Sequence, residues 1–152
     1  MTTLMSLALQ EGVIDTAILA DEGQTLLPQG TAVGDPAGVR KRGKSRFVVS
    51  PNVAEFNRLA KEGGKKIGIV ATPCQGLALA KMRLKPLASY ADRIDQLKLV
   101  IGLFCGWALS WRNLVALLRK KTDLAEIEGM DIPPSKYGSR ARRKSPPAHW
   151  RR

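Results

Sequence analysis

Apolar and polar positions follow two periods along the chain, and the blocks alternate. Residues 2–11 carry a helical pattern that Gly12 ends. Val13 to Ala20 reads as a strand with Asp15 as its one interior charge, and Asp21-Glu22-Gly23 as a turn. Leu26 and Leu27 start a short strand stopped by Pro28. Gly34-Asp35-Pro36 is a breaker, from which Pro36 opens a short helix toward Arg42. Phe47-Val48-Val49 is β-prone; Ser50 then offers an N-cap and Pro51 a first helical position. Val53, Phe56 and Ala60 share one face of that helix, and Gly63-Gly64 stops it. Lys66 to Ala71 is a compact buried strand. Residues 73–84 follow as a helix with Leu77, Ala80 and Leu84 on one face, ended by Pro86. Leu97 to Cys105 is the strongest strand pattern, and its unbroken apolar run suits a sheet covered on both faces. Ser110 caps a last helix with the stripe Trp111, Leu114, Val115 and Leu118, and Arg119-Lys120-Lys121 suits its C-terminal dipole. Strands alternating with helices predict an α/β fold, a mostly parallel sheet with flanking helices.

After Pro133-Pro134 the periodicity stops, and residues 139–152 are expected to form a disordered basic tail. Charge follows the same division. The net charge is +12, yet residues 133–152 hold seven Lys or Arg and no acid, leaving 18 basic and 13 acidic side chains in residues 1–132. A second basic cluster runs from Arg40 to Arg46. Its commonest meaning is a solvated patch, and its functional alternative is a seat for phosphate groups. The longest uncharged apolar stretch, Leu99 to Trp111, has 13 residues, short of the ~20 that span a bilayer. With no basic, signal-like start, the expectation is a soluble cytoplasmic protein. Two cysteines make no disulfide scaffold.

The candidate chemistry lies at Thr72-Pro73-Cys74-Gln75. Thr72 caps a helix, Gln75 completes a capping box, and Pro73 fits the first position. Cys74 then sits in the first turn, where unpaired N–H groups favour thiolate. If the strands ending at Ala71 and Cys105 are parallel neighbours, both cysteines lie at the carboxyl edge of the sheet, where open α/β sheets bind ligands. Cys105 alone is as readily a small core residue. Two cysteines do not hold an iron–sulfur cluster by themselves.

These segments resemble the coenzyme F420 hydrogenase/dehydrogenase beta-subunit family. The resemblance rests on Gly68-Ile69-Val70-Ala71-Thr72-Pro73-Cys74-Gln75 with the Ala-Leu-Ala-Lys-Met-Arg helix after it, and on Leu99-Val100-Ile101-Gly102-Leu103-Phe104-Cys105. Glu11 to Asp15, Lys44 to Pro51 and Gly129 to Pro134 fit as well, so that it spans residues 2 to about 138. Beta subunits of deazaflavin-reducing hydrogenase and formate dehydrogenase belong to this group, and chlorophyll-pathway reductases are similar. The resemblance implies a partial domain over residues 1–138 of a flavin- and iron–sulfur-dependent electron-transfer subunit. It implies FAD and a 4Fe–4S cluster as cofactors and coenzyme F420 as substrate. Its implied partners are hydrogenase or dehydrogenase subunits or a ferredoxin-like donor. It places Cys74 and Cys105 at cluster-ligand positions and Ser45 and Arg46 at the flavin, with Phe47 where the family has Tyr. Thr72, Pro73 and Gln75 join the cofactor-binding set.

The chain departs from the family in three ways. Ala71 stands where the family has glycine. The family's Gly-Gly-rich segment before the equivalent of Met1 is missing, and so is its downstream Cys-x-x-Cys pair. The tail resembles no part of the family, as expected if it is out-of-frame sequence on a fragment of a longer ancestral frame. Two other functions compete. The basic tail fits a nucleic-acid-binding protein without catalytic activity, though no motif for it is present and few aromatics are available to stack bases. Cys74 alone fits a thiol redox protein, though it lacks a nearby resolving cysteine in sequence.

Overall fold

A computed structural model describes residues 1–22, 27–43, 46–88, 91–131 and 140–143. Its centre is a four-stranded sheet in the order β2-β1-β3-β4, formed by β1 (Thr16–Glu22), β2 (Pro28–Val33), β3 (Ile67–Ala71) and β4 (Leu97–Gly102). β3 pairs parallel with β1 on one side and β4 on the other, as the alternation predicts, while β2 adds an antiparallel edge. A separate antiparallel pair joins β5 (Ile127–Asp131) to β6 (Arg140–Arg143). Residues 140–143, inside the segment expected to lack regular structure, are therefore a strand; residues 144–152 lie outside the described residues.

Alternation along β1 and β3 builds two cores. Ile18, Ile67, Ile69 and Ala71 point to one face, where Phe56 and Leu59 of α3 (Asn52–Ala60), Leu79 of α4 (Pro73–Leu84) and Ile94 of α5 (Ala91–Ile94) bury them. Ala17, Leu19 and Val70 point to the other, against Met5 of α1 (Thr2–Gln10) and Val39 of α2 (Pro36–Lys41). Each fully buried Leu, Ile or Phe contributes roughly 1.5–3 kcal/mol. The sheet is covered on both faces at β3, every residue of which is buried.

Several boundaries differ from the sequence pattern for physical reasons. β1 starts at Thr16 because Val13 and Ile14 donate their N–H groups to Ala8 O and finish α1. Gly12, with φ +66°, makes that reversal. β1 continues through Asp21 and Glu22, the expected turn, because Glu22 pairs with Pro28. Pro28 therefore begins β2 rather than stopping a strand, a position that needs no N–H donor. Gly30 of β2 lies so close to α3 that an added Cβ would stand 2.9 Å from Glu55 Cβ and 3.1 Å from Asn52 Cα. Pro51 is the cap residue of α3, and the helix starts one residue later than the sequence suggests.

Three corrections concern the site's surroundings. β4 ends at Gly102, so Cys105 lies in the loop beyond it. β4 is also an edge strand with alternating burial, Val100 being 41% exposed; its apolar run is not covered on both faces. In α4 the predicted stripe is the exposed one. Leu79 is the buried residue, and Leu77, Ala80 and Leu84 face away from the core. The last long helix, α6 (Trp111–Arg119), does turn its stripe inward: Leu118 is buried and Trp111, Leu114 and Val115 are partly covered. No helix among the described residues is long and apolar enough to cross a membrane.

Candidate functional site

A cleft of about 510 Å³ opens beyond the carboxyl ends of β1, β3 and β4, where parallel strands leave their ligand crevice. One wall is the turn from β3 into α4, represented by Thr72 and Gln75. The other is made by two loops, 46–51 and 103–109. They are joined by a parallel bridge between Val48 and Leu109 and by Leu109 N–H donating to Phe47 O at 2.8 Å. The rings of Phe47 and Trp107 stack across this seam at 6.4 Å and 18°. Phe104, fully exposed, lines the same cleft.

A polar network fixes the walls to each other. Thr72 N–H donates to Gln75 Oε1 at 3.0 Å, which is Gln75's half of the capping box. The Gln75 amide then donates to Ser50 O in the opposite wall. Asn52, only 3% exposed, donates to Val70 O at 2.8 Å and accepts from Ser50 Oγ at 2.9 Å. The segment bearing Arg46 and Phe47 is thus tied to the end of β3 through side-chain amides. Buried amides are tolerated because these bonds replace the water they lose.

Charge in the cleft is paired. Arg42 Nε donates to Asp21 at 2.7 Å, and Arg46 lies 3.3 Å from Glu22 and 3.7 Å from Asp21. All four groups are partly buried, between 11% and 24% exposed at the side chain. Two carboxylates at the end of β1 therefore balance two guanidiniums of the 40–46 cluster. The cleft offers directed N–H donors more than net positive potential.

The cysteines do lie at the same edge. β3 and β4 are parallel neighbours with Ala71 opposite Gly102, and each cysteine follows its strand end by three residues. Both are exposed free thiols. Cys74 shares a 3.1 Å hydrogen bond with Thr72 Oγ1, while Cys105 Sγ donates to Trp107 O at 3.3 Å. Cys105 lines the cleft and Cys74 does not. Among the described residues no group of three or more His, Cys, Asp or Glu is placed to hold a metal ion.

Of the other residues singled out from sequence, Arg46, Thr72 and Gln75 line the cleft. Pro73 occupies the first position of α4 and is not among the lining residues. Ser45 lies outside the described residues. Sequence reasoning missed Asn52 and Trp107. Asn52 has a signal in the sequence, a polar residue one turn before Phe56 on the apolar face of its helix. Trp107 gave none, because its role comes from a pairing between distant loops.

Two family models match the chain, both of the beta subunit of coenzyme F420 hydrogenase/dehydrogenase. The model of its N-terminal part matches residues 1–56, and the model of its C-terminal part matches residues 64–145. The second match runs into the tail that by sequence resembles no part of the family. Coenzyme F420 hydrogenase subunit beta of Methanothermobacter thermautotrophicus is 27% identical over 140 residues, covering 90% of this chain and 50% of that protein. Coenzyme F420-dependent sulfite reductase of Methanocaldococcus jannaschii is 25% identical over 146 residues, covering 89% of this chain and 23% of that protein. Among solved structures, a chain of the F420-reducing NiFe hydrogenase complex from Methanosarcina barkeri superposes with a TM-score of 0.77 at 25% identity, over 94% of this chain and 50% of that one. The chain spans about half the length of the hydrogenase beta subunits it matches. With more than half of its residues inside one family model and most of the remainder inside its N-terminal companion, the chain belongs to the coenzyme F420 hydrogenase/dehydrogenase beta-subunit family.

Proposed function

We propose that the cleft at the carboxyl edge of the sheet seats the ring system of a flavin or of coenzyme F420, and that the chain is an electron-transferring portion of an oxidoreductase subunit. The observation that carries this reading is the cleft's composition. A stacked aromatic pair, Phe47 and Trp107, stands across from a turn held by amide hydrogen bonds. Planar heteroaromatic ligands ask for that combination of apolar faces and a few directed polar groups.

The residues fit a flavin. Phe47, Trp107 and Phe104 supply apolar faces for a ring. Thr72 and Gln75 bring a hydroxyl and an amide to the edge of the cleft. Arg42 and Arg46, held in place by Asp21 and Glu22, supply guanidinium donors for a phosphate. A bound flavin or deazaflavin supplies the hydride and electron chemistry itself. The protein's share is to orient the ring between its two walls and exclude water from one face.

The residues do not fit a 4Fe–4S cluster by themselves. Such a cluster takes about four thiolates, and the chain has two cysteines. A cluster using Cys74 and Cys105 needs further ligands from another polypeptide segment. The hydrogenase complex that contains a structural relative supports partnership with other oxidoreductase subunits.

Titration of FAD and of coenzyme F420 with the purified chain, followed by quenching of ligand fluorescence, tests the reading. Saturable binding of at least one is expected. Trp107→Ala is expected to weaken it up to about tenfold, the scale of one lost aromatic contact of ~0.5–1.5 kcal/mol. No saturation by either ligand would end the proposal.

A further inference from the structure

The outer face of α4 is used by neither core nor cleft. Its stripe Leu77, Ala80 and Leu84 has the spacing of a buried helix face, yet Leu77 is 58% and Leu84 80% exposed. Leu87, just past the helix, is 71% exposed. An apolar stripe of this kind marks an interaction surface more often than isolated exposed leucines do.

The charge on α4 itself and on the segments that flank it in sequence has one sign. Between Gly63 and Ala91 the sequence has no Asp or Glu. Lys81 stands on the helix four residues after Leu77 and three before Leu84, and is exposed. Lys85 and Lys61 line a groove of about 350 Å³ between α3 and the end of α4, above Met82 and Ile94. The cleft lies at the start of α4, by Thr72 and Gln75, and this groove at its other end.

We propose that the outer face of α4 docks an acidic, leucine-bearing amphipathic helix of another protein. The partner's leucines would cover Leu77, Leu84 and Leu87, and its carboxylates would meet Lys81, Lys85 and Lys61. The helix-on-helix mode follows from the stripe's own period, and the partner's sign follows from Lys81 on a helix that carries no acid and Lys85 at its end. The proposal does not depend on what the cleft binds.

Two fluorescein-labelled helical peptides test it by anisotropy. Both carry leucines at i, i+3, i+4 and i+7; one has glutamates and the other lysines at the flanking positions. The glutamate peptide is expected to bind saturably and the lysine peptide not to. Leu84→Ser/Leu87→Ser and Lys81→Glu/Lys85→Glu should each weaken binding by roughly tenfold, as loss of docking anchors does. Lys98→Glu/Lys120→Glu makes the same charge change at exposed positions elsewhere and should change binding by less than about twofold, reflecting screening of distant charges. Circular dichroism confirms that each variant folds. Equal binding of both peptides, or equal loss in the control variant, would overturn the proposal. It also fails if the α4 variants lose binding to phosphatidylserine vesicles while still binding the glutamate peptide as wild type does, which would make the face a membrane contact.

Discussion

Replacing Asn52 with alanine probes the link between the α3 entrance and the end of β3. Asn52 is buried, and its side chain makes two buried hydrogen bonds, to Val70 O at 2.8 Å and from Ser50 Oγ at 2.9 Å. Truncation leaves a buried carbonyl and a buried hydroxyl without these partners. Each orphaned group costs about 1–3 kcal/mol. The Ser50 hydroxyl rotates and finds other acceptors more easily than the Val70 carbonyl, so its share falls at the low end. The sum is about 2–4 kcal/mol, a large part of the ~5–15 kcal/mol that holds a domain together. Urea unfolding followed by circular dichroism and by tryptophan fluorescence measures it. Ser50→Ala alone should cost about 1–2 kcal/mol, and the double variant less than the sum, because both changes break the same bond. A loss under about 0.5 kcal/mol for Asn52→Ala, or strict additivity of the pair, would show that the network does not fasten the cleft wall.

Two further outcomes follow from local geometry. Gly30→Ala should destabilise the protein by about 1–3 kcal/mol in the same urea assay, because its Cβ would meet Asn52 Cα at 3.1 Å and backbone atoms yield poorly; unchanged stability would refute the close packing of β2 on α3. Glu62 is held below the ordinary glutamate range first by its hydrogen bond from Lys65 and then by the charges of Lys65 and Arg58. Its contribution to stability is present above that range and fades as the pH falls through the lowered folded-state value. An NMR titration should show the low midpoint in wild type and a rise toward the ordinary range in Lys65→Ala; no difference between the two would refute the pairing.

The capped start of α4 is legible in the sequence because it rests on local signals, Thr72, Pro73 and Gln75 after an apolar strand; the parallel pairing of β3 with β4, a non-local contact, enters the sequence reading only as a condition, which the structure meets. Which face of α4 is buried was not. The stripe of Leu77, Ala80 and Leu84 has the right period, but the core takes Leu79 instead. Periodicity gives a helix its faces without saying which one meets the sheet. The end of β4 was overrun because Leu103 and Phe104 continue the apolar run, although Phe104 is solvent-exposed in the loop. The basic cluster at 40–46 reads from its composition first as a solvated patch and second as a phosphate seat. Its pairing with Asp21 and Glu22 depends on β1 running two residues into the apparent turn.

The absorbance spectrum of the protein purified anaerobically tests the central claim most directly. A chain that seats a flavin should show the paired oxidised-flavin bands after reconstitution with FAD, and they should bleach under dithionite and return in air. Without flavin bands, and with FAD recovered quantitatively in the flow-through of a desalting column, the cleft would not be a flavin site.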